Sequence, residues 1–173
     1  MIFLKKLSVV LSVLLIAALL ACSVSAAFGE TAKLRSTQTF LDFCDAKGIK
    51  YTLDTSASDD KYEVVRISYS LDNFESLRCT LLFKTDNEEV GLRIWNIVTT
   101  TASKDYVLYT INKINADYKF AKYVLDESDM TVQVELDVYI EADSCGRVVY
   151  DSMMALFNIT DRDDVASALK MLQ

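Results

Sequence analysis

Histidine is absent from all 173 residues, and so is proline. Without histidine the chain lacks the usual general base, the partner of serine and cysteine nucleophiles, and the commonest metal ligand. Without proline, no Pro-rich linker divides it. Glycine occurs only four times, at Gly29, Gly48, Gly91 and Gly146, so neither a Gly-x-Gly-x-x-Gly dinucleotide fingerprint nor a Gly-x-x-x-x-Gly-Lys phosphate loop is present. No cofactor is expected. Positive charge is also in deficit, with 18 Lys and Arg against 25 Asp and Glu for a formal charge of −7. An acidic surface of that kind repels phosphate backbones, so nucleic acid is not an expected partner. No basic stripe is available for an anionic membrane surface either.

Cysteine gives the next bound. Cys44, Cys79 and Cys145 follow Cys22 without a Cys-x-x-Cys pair, which excludes a zinc ribbon and a thioredoxin-type redox motif. Cys44 and Cys79 both fall on predicted apolar faces and are expected as packed thiols. A disulfide between them would require close Cα approach.

What is present begins with an export signal. Lys5 and Lys6 precede an uncharged apolar run from Leu7 to Leu20, after which the chain turns to the small residues Ser23, Ser25, Ala26 and Ala27. That is the order of a secretory signal peptide, and the run falls short of the roughly 20 residues that span a bilayer. Residues 1–26 are therefore read as a signal peptide and 27–173 as a single domain, with cleavage alternatively after Gly29. Leu19-Leu20-Ala21-Cys22 also resembles a lipobox. In that alternative cleavage precedes Cys22, which carries lipid, and only this lipid would attach the protein to a membrane. The expected location is periplasmic or secreted, or else lipid-anchored at the cell envelope.

Along 27–173 the hydrophobic period changes repeatedly. Phe40, Phe43 and Cys44 predict a helix near Thr37 to Lys47, capped by Ser36 or Thr37 and stopped by Gly48. A short strand at Ile49 to Leu53 and a polar loop lead to a strand at Tyr62 to Leu71, with Val65, Ile67, Tyr69 and Leu71 on one face. Leu77, Cys79, Leu81 and Phe83 repeat the pattern, as do Val90, Leu92 and Ile94, so these strands should form an antiparallel meander. Ser103 begins a helix to Asp117 with Val107, Ile111, Ile114 and Tyr118 at helical spacing. A hairpin of Lys119–Leu125 and Met130–Glu141 follows. Helices at Ser144 to Phe157 and from Thr160, with Asp163 as a capping-box acid, end the chain. The fold class is α+β, an antiparallel sheet of meander plus C-terminal hairpin with packed helices, in the order α-β-β-β-β-α-β-β-α-α.

The segment Ile111-Asn112-Lys113-Ile114-Asn115-Ala116-Asp117-Tyr118-Lys119-Phe120-Ala121-Lys122, followed by Tyr123-Val124-Leu125-Asp126 and a Val/Glu/Asp strand, resembles the bacterial YbjN family. The resemblance extends over about Thr39 to Phe157. It implies a fold similar to type III secretion chaperones, a dimer-forming sensory or regulatory module, and no catalytic residues. The export signal departs from the usual members, which look cytosolic, so an intracellular role does not transfer with the fold.

Individual residues support few chemical readings. Asp126, Glu127 and Asp129 lack the spacing and central glycine of an EF-hand and read as a solvated turn. Asp161, Asp163 and Asp164 suit the first turn of a helix. Asn158-Ile159-Thr160 matches a glycosylation acceptor, which carries no meaning in a bacterial protein. Glu135 and Asp137 share a strand face and are the one carboxylate pair placed for acid/base hydrolysis. Opposite the core rows stand Val64, Leu82, Trp95 and Ile97, apolar residues on a face that a one-sided sheet leaves polar. Either the two C-terminal helices cover them, or they form a dimer or partner surface anchored by Trp95. Three functions follow from these readings: a protein- or peptide-binding module, a carboxylate-only hydrolase, or an envelope lipoprotein with a scaffolding role.

Overall fold

Val65, Ile67, Leu77, Cys79, Leu81, Phe83, Val90, Leu92 and Ile94 are all buried, as period-two alternation requires of strands that cover a core. The computed structural model describes Ala32 to Gln173. The expected signal peptide at 1–26, Cys22 and the alternative cleavage point at Gly29 lie outside the described residues. The elements are α1 (Arg35–Lys47), β1 (Thr52–Leu53), β2 (Tyr62–Tyr69), β3 (Leu77–Lys84), β4 (Glu89–Thr99), α2 (Lys104–Asp117), β5 (Lys122–Asp126), β6 (Thr131–Tyr139), α3 (Cys145–Thr160) and α4 (Asp163–Lys170). The strands form a six-stranded antiparallel sheet ordered β1-β2-β3-β4-β6-β5. This is the α+β class and element order that the periodicities predict.

The helices pack on one face of the sheet. Phe40 and Cys44 of α1, Val107 and Ile111 of α2, Val149 and Phe157 of α3 and Leu169 of α4 join the inner strand rows in one buried cluster. Phe40 stacks at a tilt on Phe83, with ring centroids 5.6 Å apart, and Tyr69 meets Phe157 edge-on at 5.3 Å. The C-terminal helices therefore do not cover the Val64 side, which corrects that alternative. Helices α1 and α3 touch at Gly146, where an added Cβ would stand 2.6 Å from the Phe43 Cβ. Only a glycine permits that approach.

Several boundaries differ from the sequence reading. Neither Ser36 nor Thr37 caps α1, since the cap position is Leu34 with no side-chain cap and both hydroxyl residues are buried in the first turn. The helix start is satisfied instead from β2 and from the turn between β3 and β4. The Lys33 and Leu34 N–H groups donate to Glu63 Oε1 and Oε2 at 2.6 and 2.8 Å, and the Ser36 N–H and Oγ donate to Asn87 Oδ1 at 3.0 and 2.9 Å. Those acceptors are distant in sequence, so local cap rules miss them. The strand expected at Ile49–Leu53 shrinks to two residues. Thr160 ends α3 rather than opening the last helix, and its hydroxyl pairs with Tyr123 Oη at 2.9 Å inside the core.

Cys44, Cys79 and Cys145 are buried and free, as expected for packed thiols. Burial pushes the Cys44 and Cys79 thiols up to about 12 and Cys145 to about 11. They are neutral near pH 7 and poorly nucleophilic.

Candidate functional site

The face turned away from the helices is built by the alternate residues of the same strands. Arg66 and Ser68 on β2 project beside Arg78 and Thr80 on β3, with Arg66 opposite Thr80 and Ser68 opposite Arg78 in the ladder. Trp95 lies alongside on β4. Together with Ser76 these residues line an open hollow of about 490 Å³. A second hollow of about 500 Å³, lined by Lys50, Tyr51, Thr52, Asp54, Arg66, Ser68 and Arg78, adjoins it through the shared Arg66, Ser68 and Arg78. The result is one shallow trough across β1, β2, β3 and β4.

An irregularity in β4 positions Trp95. Between Ile94, which faces Val134, and Val98, which faces Val132, the register shifts, so three residues of β4 stand against Gln133 alone. Asn96 takes φ 53°, a left-handed conformation that asparagine tolerates better than most residues, and its Oδ1 accepts from the Thr131 hydroxyl at 3.1 Å. The bulge leaves Trp95 42% exposed while returning Ile97 to the buried cluster at 7%. Strict alternation would have put both on one side.

Of the four residues expected on this face, the structure thus brings Ile97 to the core. Val64 is buried, its backbone held by Ser58 Oγ and the Asp54 N–H from the 54–60 loop, and Leu82 is half-buried. Trp95 is the exposed member. Its neighbours are cationic and hydroxylic, not the aliphatic companions that the sequence reading expected. Arg66 and Arg78 were readable as the polar alternates of β2 and β3, but nothing in the sequence showed that they adjoin Trp95.

The ion pairing within the trough is uneven. Arg66 Nη1 meets Asp54 Oδ2 at 2.9 Å, yet Arg66 Nε is buried without a hydrogen-bond partner among the described residues. Asp54 also accepts from the Ser56 hydroxyl at 2.6 Å and the Ala57 N–H at 2.9 Å, and these bonds, the serine first, hold its carboxyl below the usual range. Arg78 has one long contact, Nε to Ser68 Oγ at 3.5 Å. Lys50 and Arg78 have no carboxylate partner among the described residues.

The other expected sites resolve into structural roles. Arg93 lies between Glu135 and Asp137, with Nε 3.9 Å from Glu135 Oε1 and Nη2 2.7 Å from Asp137 Oδ1, so Asp137 is engaged by a guanidinium that also stands near Glu135. Asp126 accepts from Ser128 N–H and Oγ, Glu127 pairs with Lys104, and Asp129 accepts from Thr131, so each acid of that loop serves the turn. Asp161 anchors a distant turn, accepting from the Asp72 and Asn73 N–H groups at 3.0 and 2.7 Å. Among the described residues no group of three or more acidic, cysteine or histidine side chains is placed to hold a metal. A smaller groove of about 390 Å³ lies between α2 and α4, lined by Tyr106, Tyr109, Tyr118 and Met171 among others. There Tyr118 Oη donates to Asp164 at 2.9 Å, and the Arg162 guanidinium sits 5.5 Å from the Tyr118 ring centre.

The Asn-x-x-Asn run has a physical function. Asn115 Nδ2 donates to the Tyr123 carbonyl at 2.9 Å and its Oδ1 accepts the Tyr123 N–H at 2.7 Å. That amide occupies the outward N–H and carbonyl of Tyr123 on edge strand β5 as a further strand would at that residue.

No family model matches the chain, and no curated protein matches it. Among solved structures, a chain of the crystal structure of the ExsC–ExsE complex is similar, with a TM-score of 0.48 and 15% sequence identity over 79% of this chain and 96% of that one.

Proposed function

We propose that this chain is an exported, non-catalytic module of the YbjN type that binds a protein or peptide, in a chaperone-like or regulatory role, through the uncovered face of its sheet. The observation that carries the reading is the two-sidedness of the sheet: helices cover one face, and the other presents a trough holding the exposed Trp95. An exposed tryptophan beside arginines is the composition that interface anchors favour. The carboxylate pair that a hydrolase would need is tied to Arg93 instead.

A photo-crosslinking residue placed at Ser76 or Tyr139, both exposed, the first lining the trough beside Trp95, should capture one discrete protein in the native envelope fraction. The same residue at Val148, which is exposed on α3, should not. Equal capture from all three positions, or none from the open face, would remove the reading. Mass spectrometry of the mature N-terminus addresses export separately: a start at Ala27 or Glu30 supports a soluble secreted form, and lipid on Cys22 supports an anchored one.

A further inference from the structure

The trough has a charge sign opposite to that of the chain. Lys50, Arg66 and Arg78 line it with Asp54 as the single acid, while the protein as a whole carries −7. Asp54 is already engaged by Ser56, Ala57 and Arg66, so the Arg78 guanidinium and the Lys50 ammonium have no carboxylate partner among the described residues. A carboxylate-rich ligand would be repelled elsewhere on this surface and drawn here.

The ladder adds a spacing. Arg66 stands opposite Thr80, and Arg78 is two residues along the same face of β3, so the arginines are diagonal neighbours about 7 Å apart at the backbone. In an extended peptide, side chains on one side recur every two residues, also about 7 Å. Carboxylates at positions i and i+2 therefore match the two guanidiniums, and Arg is the side chain suited to directed carboxylate contacts. Trp95, at one end of the hollow, offers an apolar surface to the next side chain.

We propose that this trough binds an extended acidic peptide segment with alternating carboxylates, held by Arg66 and Arg78 and flanked by Trp95. The proposal rests on the binding-module reading and names its ligand class.

Trp95 is the sole tryptophan of the chain, so intrinsic fluorescence reports on this site alone. The full mature protein would be titrated with an eight-residue peptide alternating glutamate and serine, with a peptide of the same composition carrying its glutamates in one block, and with an alternating lysine–serine peptide. The alternating acidic peptide should shift Trp95 emission saturably and bind most tightly. Arg78→Gln should weaken it about tenfold, the loss of one charged hydrogen bond, with circular dichroism unchanged, and Arg78→Lys should recover part of the affinity. Absence of a shift, equal binding of the lysine peptide, or indifference to Arg78→Gln would overturn the proposal. So would a dimer in sedimentation that Arg78→Glu dissociates and the peptide does not, because the face would then belong to a second copy. If the crosslinker at Ser76 captures a partner but no acidic peptide binds, the ligand class fails and the binding-module reading stands; if no crosslink forms from the open face, that reading fails as well.

Discussion

The two faces of one sheet share strands, register and backbone hydrogen bonds, yet they differ in what their side chains leave unfinished. On the inner face the strand rows join the helices in one buried cluster, and Phe83, Val90, Leu92 and Val134 are fully enclosed. On the outer face Arg78 and Trp95 stand exposed beside hydroxyls, Arg66 is half-buried against Asp54, and Arg78 has no carboxylate partner among the described residues. The buried apolar contacts lie on the first face, and the face proposed to bind a partner is the second. The contrast predicts that mutations on the first face unfold the protein and mutations on the second leave it folded.

The sharpest test of that division is Phe40→Ala. It removes a ring stacked on Phe83 and should cost about 3–5 kcal/mol in denaturant unfolding. A loss below about 1 kcal/mol would break the comparison by showing that the inner face is not the stability centre. Gly146→Ala probes the helix layer itself: the new methyl would press on Phe43, so a loss of about 1–3 kcal/mol is expected from overpacking. An unchanged melting temperature would mean that α1 and α3 can separate freely. Tyr123→Phe should cost about 1 kcal/mol, since it removes the buried bond to Thr160 and keeps the ring. At the small end, Trp95→Ser should change unfolding free energy by no more than about 0.5 kcal/mol while abolishing partner capture. General unfolding would place Trp95 with the inner face.

Much of this was legible in the sequence, and the parts that were not share a cause. The inner rows of β2, β3 and β4 follow from alternation because a half-buried sheet forces it on the side chains. Helix α2 follows from Val107, Ile111 and Ile114, all buried. The cap of α1 did not follow, because its acceptors Glu63 and Asn87 come from β2 and from the turn between β3 and β4, far off in sequence. Ile97 was misplaced because a bulge resets alternation without a marker: Asn96 is compatible with left-handed backbone but does not demand it. The trough required knowledge of which strands pair, since Arg66, Arg78 and Trp95 become neighbours only through the ladder. Tertiary neighbours decided each miss.

The position of α1 has a consequence for the order of events during synthesis. Ser36 accepts a contact from Cys145, 109 residues later, through Sγ at 3.2 Å from its carbonyl oxygen. The strands need no such wait, since β1 to β4 pair in succession and β5 pairs with β6. Helix α1 can thus rest on β2 and β3 once they pair, through Glu63, Asn87 and Phe83, but its side toward α3 stays uncovered until that helix emerges. Pulse-labelling hydrogen exchange during refolding should show protection in β2 and β3 before α1. If α1 were protected first, the helix would be stable on its own. A chain interrupted before Cys145 would thus hold α1 only by its contacts with β2, β3 and the turn between β3 and β4, and would never close the helix layer.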